Sequence, residues 1–211
     1  MAAGQKSRSS GTLKSLTLHL QPPFESQRLI SVSPHTLREN GGLVVWLTGL
    51  SGAGKTTIAQ AVQQALTSFG VPAVFLDGDE VRKQLHPTLG FSKADREENV
   101  RRIGALAKAR AEEGAVVLVA VIAPYRTTRQ EVRQICRAYL EVFVDAPLRT
   151  CEERDPKGLY RRVRRGEITQ FTGIDAPYEA PIEPEIHCRT ASESIEESSQ
   201  RVLRAIAESL R

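Results

Sequence analysis

One short segment constrains the fold of this chain more than any other feature of its sequence. Residues 49–56 satisfy the pattern G-x-x-x-x-G-K-[ST]. They follow the continuous apolar run Leu43–Thr48 and lead into Lys55–Phe69, where apolar side chains recur with helical spacing. A phosphate-binding loop, or P-loop, requires this order of strand, loop and helix. The sequence therefore predicts a P-loop fold that binds a nucleoside triphosphate.

The residue types of this segment suit the phosphates of ATP. Glycines let the backbone N–H groups and the N-terminus of the following helix face anionic oxygens. Lys55, which we expect to be exposed, would place a charge at the β- and γ-phosphates and is a predicted catalytic residue, and the Thr56 hydroxyl would bind the Mg²⁺ that accompanies ATP. The predicted ATP-binding residues are Gly49, Leu50, Ser51, Gly52, Ala53, Gly54, Lys55, Thr56 and Thr57.

The rest of the chain alternates apolar runs with segments of helical periodicity. Strands are predicted over Leu43–Thr48, Val71–Leu76, Ala115–Ile122, Leu140–Val144 and Glu185–Arg189. Helices are predicted over Lys55–Phe69, Val81–Leu85, Lys93–Glu113, Thr127–Ala138 and Ser192–Leu210. Strands joined through helices form a parallel sheet that is covered on both faces. We therefore predict an α/β, three-layer P-loop NTPase fold, with a parallel sheet of about five strands flanked by helices.

The length and the charge distribution limit the domain organisation and the partners. A chain of 211 residues suits one hydrophobic core. We place the domain at residues 42–211 and predict a partly disordered N-terminal tail over 1–41. Residues 1–40 contain five Lys or Arg and two Glu, so they carry +3 of the net charge of +4. The remainder is nearly neutral, which argues against a nucleic-acid-binding surface.

The cysteines, the histidines and the apolar runs argue against a disulfide-rich, a zinc-binding or a membrane protein. Three widely spaced cysteines, in no C-x-x-C pair, indicate neither a disulfide framework nor a zinc site, and a cytoplasmic location fits them best. No apolar run approaches the roughly 18 residues of a membrane helix, so we predict a soluble protein without a membrane partner. The histidines are interpreted as surface or loop residues: His19, His35, His86 and His187.

Two carboxylates follow the second predicted strand. Asp77 and Asp79 flank Gly78 at the strand's carboxyl end, where open α/β sheets bind their ligands. Such a pair can hold Mg²⁺ or accept a proton from a hydroxyl group. Alternatively the segment is a polar turn in which Asp79 caps the next helix.

A second segment combines an aromatic residue with a charged helix. Phe91 precedes the helix predicted from Lys93, and Arg96, Asn99 and Arg102 recur every three residues on one face of it. A solvated face rich in ion pairs would account for the charges of this helix. It would not account for an exposed Phe91.

Three motifs together resemble the APS kinase (adenylylsulfate kinase) family. They are L-D-G-D-x-x-R over 76–82, G-F-S-x-x-D-R-x-E-N over 90–99, and K-G-L-Y followed by F-T-G-I-D over 157–175. The resemblance extends from about Gly42 to the C-terminus. It implies a P-loop kinase, usually a homodimer, that converts ATP and adenylyl sulfate to ADP and 3′-phosphoadenylyl sulfate in sulfate assimilation.

The resemblance also implies roles for individual residues. Arg82, Arg96 and Asn99 would hold the phosphosulfate and nucleotide groups of the acceptor, in keeping with the preference of arginine for such anions. Phe91 and Phe171 would sandwich its adenine. Asp79 would be catalytic, orienting the 3′-hydroxyl or accepting its proton, and would also contact Mg²⁺. The predicted acceptor-binding residues are Asp79, Arg82, Phe91, Arg96, Asn99, Ile122, Ala123, Lys157 and Phe171.

A basic segment near residues 149–180 resembles the lid of small P-loop kinases, which excludes water from the γ-phosphate. Most of its charges are interpreted as a solvated helix face. Arg154, beside ATP, and Lys157, beside the acceptor, are the exceptions. Residues 176–181 resemble the family's closing loop beside the acceptor.

The chain departs from the family pattern at one position. The family reads I-S-P after the third strand, with a serine often described as becoming phosphorylated, whereas this chain has Ile122-Ala123-Pro124. Alanine carries no nucleophile, which leaves direct in-line transfer or loss of activity. The alternatives are a catalytically weak adenylyl-sulfate-binding or regulatory module, associated with an ATP sulfurylase through the N-terminal arm, and a P-loop kinase of another small metabolite.

Overall fold

The computed structural model describes residues 41–210, so the tail predicted over 1–41 lies outside the described residues apart from Gly41. The strands are β1 (Leu43–Thr48), β2 (Ala73–Asp77), β3 (Val116–Ala120), β4 (Tyr139–Asp145) and β5 (Ile186–Arg189). The helices are α1 (Lys55–Ser68), α2 (Gly78–Leu85), α3 (Lys93–Glu112), α4 (Arg126–Ile135), α5 (Leu148–Arg154), α6 (Leu159–Arg164) and α7 (Ile195–Ser209). Within 41–210, no helix is long and apolar enough to cross a membrane.

The strands form one parallel sheet in the order β2-β3-β1-β4-β5. The side chains of β1 alternate between two buried clusters. Leu43, Val45 and Leu47 pack on the side of α1 and α7, whereas Val44 and Trp46 pack on the side of α3 and α4. Both faces of the sheet are therefore covered, and the predicted three-layer α/β fold is confirmed. The P-loop leaves the central strand at its carboxyl end.

Several element ends differ from the predictions because pairing and capping decide them. β3 stops at Ala120, opposite Leu47, although the Val121 amide still donates to the Leu47 carbonyl at 3.1 Å. Helix α4 ends at Ile135 instead of Ala138, because Cys136 has an extended backbone and the Ala138 carbonyl already accepts a hydrogen bond from the Val44 amide, at 3.1 Å. Helix α7 begins at Ile195 instead of Ser192. Ser194 and Glu197 form a capping box there.

The predicted lid contains two short helices, α5 and α6, that apolar periodicity did not reveal. Each buries one residue, Cys151 in α5 and Tyr160 in α6. Many of its arginines pair with carboxylates of the same segment, including Arg149 with Glu153 at 2.8 Å and Arg165 with Glu167 at 2.7 Å. These pairs agree with the interpretation of the charge run as a solvated surface.

Candidate active site

A cavity of about 560 Å³ lies at the carboxyl ends of the strands. The P-loop, the ends of β2 and β3, the lid segment and the start of α7 enclose it. Its lining includes Ser51, Lys55, Thr56, Asp77, Asp79, Ile122, Arg154, Lys157, Thr190 and Ile195. The residues predicted to bind ATP and those predicted for phosphoryl transfer therefore share one cavity.

The backbone of the P-loop requires glycine at two places. Gly49 approaches the end of β4 so closely that a Cβ atom would lie 2.2 Å from the Val144 carbonyl oxygen. Gly54 has φ +105° and serves as the N-cap of α1. A side chain at either position would clash or strain the loop. The loop therefore wraps tightly around the N-terminus of α1.

Lys55 is buried, with 8% of its surface exposed, so the prediction of an exposed lysine is wrong. Its Nζ donates hydrogen bonds to the carbonyl oxygens of Gly49, at 3.0 Å, and Leu50, at 2.7 Å. Burial lowers the pKa of Lys55 to about 8, while the nearby Asp79 carboxylate acts in the opposite direction. The amine is thus held inside the loop, with little water to compete for a phosphate oxygen.

Thr56 and Asp77 bring a hydroxyl and a carboxylate together. Thr56 Oγ1 donates to Asp77 Oδ2 at 3.1 Å, and Asp77 Oδ1 accepts from the Asp79 amide at 2.9 Å. The cap of α2 is therefore Asp77 and not Asp79. Between residues 41 and 210 no cluster of three or more His, Cys, Asp or Glu could hold a metal alone. Magnesium usually takes one or two protein ligands besides phosphates and water, so this pair fits it.

The Asp79 carboxylate forms an ion pair with Lys157 of the lid segment, and both side chains are about half exposed. The turn that carries Lys157 is fixed by Asp155, whose carboxylate accepts from the amides of Tyr160, at 3.0 Å, and Arg161, at 3.1 Å. The Tyr160 hydroxyl in turn donates to the Ser51 carbonyl at 2.9 Å. The lid therefore contacts both the P-loop and the start of α2.

Arg154 lies against the opposite side of the P-loop. Its guanidinium contacts the carbonyl oxygens of Gly52, at 3.3 Å, and Thr190, at 2.5 Å. Thr190 and Ile195 line the cavity beside it. Sequence analysis missed both, although Thr190 directly follows a predicted strand on the ligand-binding edge of the sheet.

Three of the predicted acceptor residues, Arg82, Phe91 and Arg96, form a cluster. Phe91 is 62% exposed. The Arg82 guanidinium carbon lies 4.5 Å from the centroid of the Phe91 ring, and Arg82 also donates to the carbonyl oxygens of Leu89 and Gly90. The phenyl ring therefore presents an open face beside a cation.

Arg96 joins the two segments that carry the predicted aromatic pair. It donates to the Phe91 carbonyl at 2.9 Å, to the Gln170 carbonyl at 2.5 Å and to Thr172 Oγ1 at 2.9 Å. Phe171 lies between the last two partners and packs edge-on against Tyr160, with ring centroids 5.1 Å apart. Motifs far apart in the chain are thus brought together at one guanidinium.

Asn99 is buried and its Oδ1 lies 3.1 Å from His86 Nδ1. His86 is itself only 8% exposed, so the interpretation of this histidine as a surface or loop residue is wrong with regard to exposure. The loop after α2 carries the imidazole inward, and Asn99 is its polar partner. The contact orients the Asn99 amide.

Ile122 and Ala123 form a tight turn after β3. Ala123 has φ +42° and is 2% exposed, with its methyl group among the apolar residues below α3 and α4. Ile122 lines the cavity. Ala123, where the resemblance predicts a serine, therefore lies in the apolar core next to a residue of the cavity, in a left-handed backbone conformation that non-glycine residues seldom adopt.

A family model described as adenylylsulphate kinase matches residues 41–189. The adenylyl-sulfate kinase of Synechococcus sp. (strain JA-3-3Ab) is 56% identical over 165 residues, which cover 78% of this chain and 94% of that protein. The corresponding kinase of Lactiplantibacillus plantarum is 52% identical over 174 residues, covering 82% of this chain and 84% of the relative.

Solved structures of APS kinases also match this chain. The structure of the Mycobacterium tuberculosis APS kinase CysC in complex with AMPPNP and APS matches with a TM-score of 0.76 and 45% identity, over 80% of this chain and 99% of that one. A hexameric APS kinase from Thiobacillus denitrificans matches with a TM-score of 0.60 and 36% identity, over 81% of this chain and 29% of the other.

Proposed function

The chain belongs to the adenylylsulphate kinase family and is a kinase, and from this premise we propose that it phosphorylates the 3′-hydroxyl of adenylyl sulfate. The co-substrate is ATP, and the products are ADP and 3′-phosphoadenylyl sulfate. The observation that carries the proposal is the arrangement around Asp79. This carboxylate lines the P-loop cavity and pairs with Lys157 of the lid, and it lies on the same helix as Arg82 of the arginine and phenylalanine cluster.

On the donor side, the P-loop amides and Lys55 hold the phosphates of ATP, and Arg154 contacts the nucleotide from the lid. Thr56 and Asp77 would provide oxygen ligands for Mg²⁺, which would offset the charge that moves during transfer. Asp79, which was also predicted to bind the metal, is better placed to act on the acceptor, because its carboxylate pairs with Lys157, itself a predicted acceptor-binding residue.

On the acceptor side, Arg82 and Arg96 bind the anionic groups, with the Asn99 amide oriented by His86. Phe91 and Phe171 bind the adenine through their faces. Asp79 holds the 3′-hydroxyl and takes its proton as the bond from that oxygen to the γ-phosphorus forms. The bond from the γ-phosphorus to the bridging oxygen breaks, and ADP leaves. Lys157 balances the charge of Asp79.

Transfer is direct, because Ala123 offers no nucleophile to form a phosphoenzyme. Loose phosphoryl-transfer transition states depend on positioning and charge stabilisation more than on covalent help. We therefore expect inversion of configuration at a chiral γ-phosphorus, the result of one displacement. Stereochemical analysis of the product checks this expectation. Net retention would contradict it and indicate a phosphorylated residue elsewhere.

Arg96→Ala separates the two halves of the site. We expect it to raise the acceptor KM by about ten- to a hundredfold while the ATP KM stays within about twofold, because a charged hydrogen-bond donor is lost only on the acceptor side. Arg102→Ala is the matched control, since Arg102 lies on the same helix and, within residues 41–210, pairs only with Glu98, at 2.7 Å. A rise in the ATP KM of the Arg96 variant would contradict this division.

Release of ADP, measured with and without adenylyl sulfate, tests the proposed function. We expect release that depends on adenylyl sulfate. Binding of adenylyl sulfate without turnover would favour the second candidate, a binding or regulatory module, for which the alanine at position 123 is the specific observation. Turnover with another small hydroxyl acceptor, and not with adenylyl sulfate, would favour a different metabolite kinase.

The same membership leads us to propose a cytoplasmic homodimer that takes part in sulfate assimilation. Association with an ATP sulfurylase would involve the N-terminal arm, which lies outside the described residues. Light scattering of the full chain and of a chain that begins at Gly41 would measure the oligomeric state and the contribution of the arm to it.

A further inference from the structure

One buried guanidinium contacts three separate segments of the chain, two of which are predicted to lie beside the acceptor. Arg129, in α4, is 3% exposed. Its Nε donates to Glu141 Oε1 at 2.7 Å, its Nη1 to the Ala123 carbonyl at 2.7 Å, and its Nη2 to the Glu179 carbonyl at 2.8 Å. All three guanidinium nitrogens are therefore engaged, each with a different segment. A charge this deeply buried persists only when it is paired, and Glu141 is its ionic partner.

A second set of contacts reaches the same turn from the other side. Thr48 Oγ1 donates to the Ile122 carbonyl at 2.6 Å and lies 3.1 Å from the Tyr178 hydroxyl. Because the single hydroxyl proton of Thr48 is used for Ile122, Tyr178 is the donor in the second contact. Tyr178 also stacks near Phe143, with ring centroids 6.2 Å apart. Thr48 thus connects the turn to the segment that carries Tyr178.

The two sets of contacts follow the same pattern. Each carbonyl of the Ile122–Ala123 turn accepts a hydrogen bond from a side chain, and that side chain also contacts residues 178–179 of the closing loop, defined as residues 176–181. The Glu179 amide donates to the Pro124 carbonyl at 2.8 Å, which adds a direct bond between the two segments. The turn and the closing loop therefore form one unit around Arg129 and Thr48.

We propose that Arg129 is a positioning residue for the acceptor, which fixes the Ile122–Ala123 turn and the closing loop relative to each other. The inference rests on the proposed function, because it assigns these two segments to the acceptor. Ile122 lines the cavity, so a shift of the turn changes the wall against which the acceptor lies. Arg129 itself does not line the cavity, so its effect on the acceptor is exerted through these two segments. Only a planar fork of several donors can make its bonds at once, and lysine cannot replace it.

Kinetics of Arg129→Lys test the proposal. We expect the KM for adenylyl sulfate to rise by about tenfold or more, with the ATP KM within about twofold, since the charge stays but the bonds to the two carbonyls are lost. A merely structural role would alter both constants together or only the melting temperature. Tyr178→Phe keeps the ring and removes the hydrogen bond from Tyr178 to Thr48, so the second set of contacts no longer reaches the closing loop, at little risk to folding. We expect a smaller rise, of about threefold, in the same constant.

Arg133→Lys is the matched control. Arg133 lies one helical turn further along α4 and pairs with Glu185 at 2.7 Å and with Glu141, the carboxylate that Arg129 also uses, at 3.9 Å, but it contacts neither the turn nor the closing loop. We expect the KM values of Arg133→Lys for adenylyl sulfate and for ATP to stay within about twofold of those of the parent protein. An unchanged acceptor KM in both Arg129→Lys and Tyr178→Phe would overturn the proposal, as would an equal rise for ATP. Failure of the proposed function would instead appear in the parent protein, as absence of turnover with adenylyl sulfate.

Discussion

Lys55→Met is expected to reduce kcat with adenylyl sulfate by about a thousandfold, because the variant loses the charge that stabilises the transferring phosphoryl group. Methionine is preferable to alanine here. Lys55 is buried against the P-loop and methionine fills most of its volume, so the fold should persist, with a loss of about 1–3 kcal/mol in the free energy of unfolding because two carbonyl groups lose their donor. Single-turnover kinetics and thermal unfolding of the two proteins measure both effects.

The pKa of Lys55 provides an independent check on this assignment. Burial lowers that pKa to about 8, so the amine of the free protein loses its proton as the pH rises above 8. The negative charge of bound ATP favours the ammonium form and raises the pKa again. Binding of ATP near pH 9 should therefore take up a proton, and ATP affinity should fall as the pH increases. Calorimetry in buffers of different ionisation enthalpy measures the uptake. Equal uptake by Lys55→Met, or unchanged turnover, would contradict the assignment.

The fold could be predicted from the sequence because each main element is determined by residues that are adjacent in the chain. The apolar run of β1, the glycines of the P-loop and the helical spacing of α1 are contiguous in the chain. The ends of elements were less predictable because they depend on distant partners. Helix α4 stops where the chain begins to pair with the sheet. The lid helices α5 and α6 are too short to show amphipathic periodicity, and each buries only one side chain.

Some residues of the site could be predicted from the sequence and others could not, for the same reason. Motifs and the family resemblance indicated the residues expected to touch the substrates. They did not indicate those that hold these residues in place, since such contacts join segments that are remote in sequence. Thr48 and Tyr178 are 130 positions apart, and Arg129 and Glu179 are 50 apart. The burial of Lys55 was missed for a related reason, since burial follows from the packing of the whole loop.

Asp79→Asn is expected to lower kcat by about a hundredfold or more, with each KM within about threefold, if the carboxylate accepts the proton of the 3′-hydroxyl during transfer. Asparagine keeps the shape of the side chain and can still accept a hydrogen bond, but it cannot take the proton. The helix should not be affected, because Asp77 provides the cap of α2. Steady-state kinetics with both substrates varied measure the two constants.

Glu80→Gln is the matched control, because Glu80 is the next carboxylate along α2, is exposed and pairs with Lys83 at 2.8 Å, outside the cavity.

The variant Lys157→Met distinguishes two roles for Asp79. If Asp79 acts on the hydroxyl, it still matters when Lys157 is absent, and the double variant should be slower than Lys157→Met alone. If Asp79 only anchors the lid through Lys157, the double variant and Lys157→Met should have the same kcat. That second result would contradict the assignment of Asp79 to proton transfer and leave it a contact of the lid.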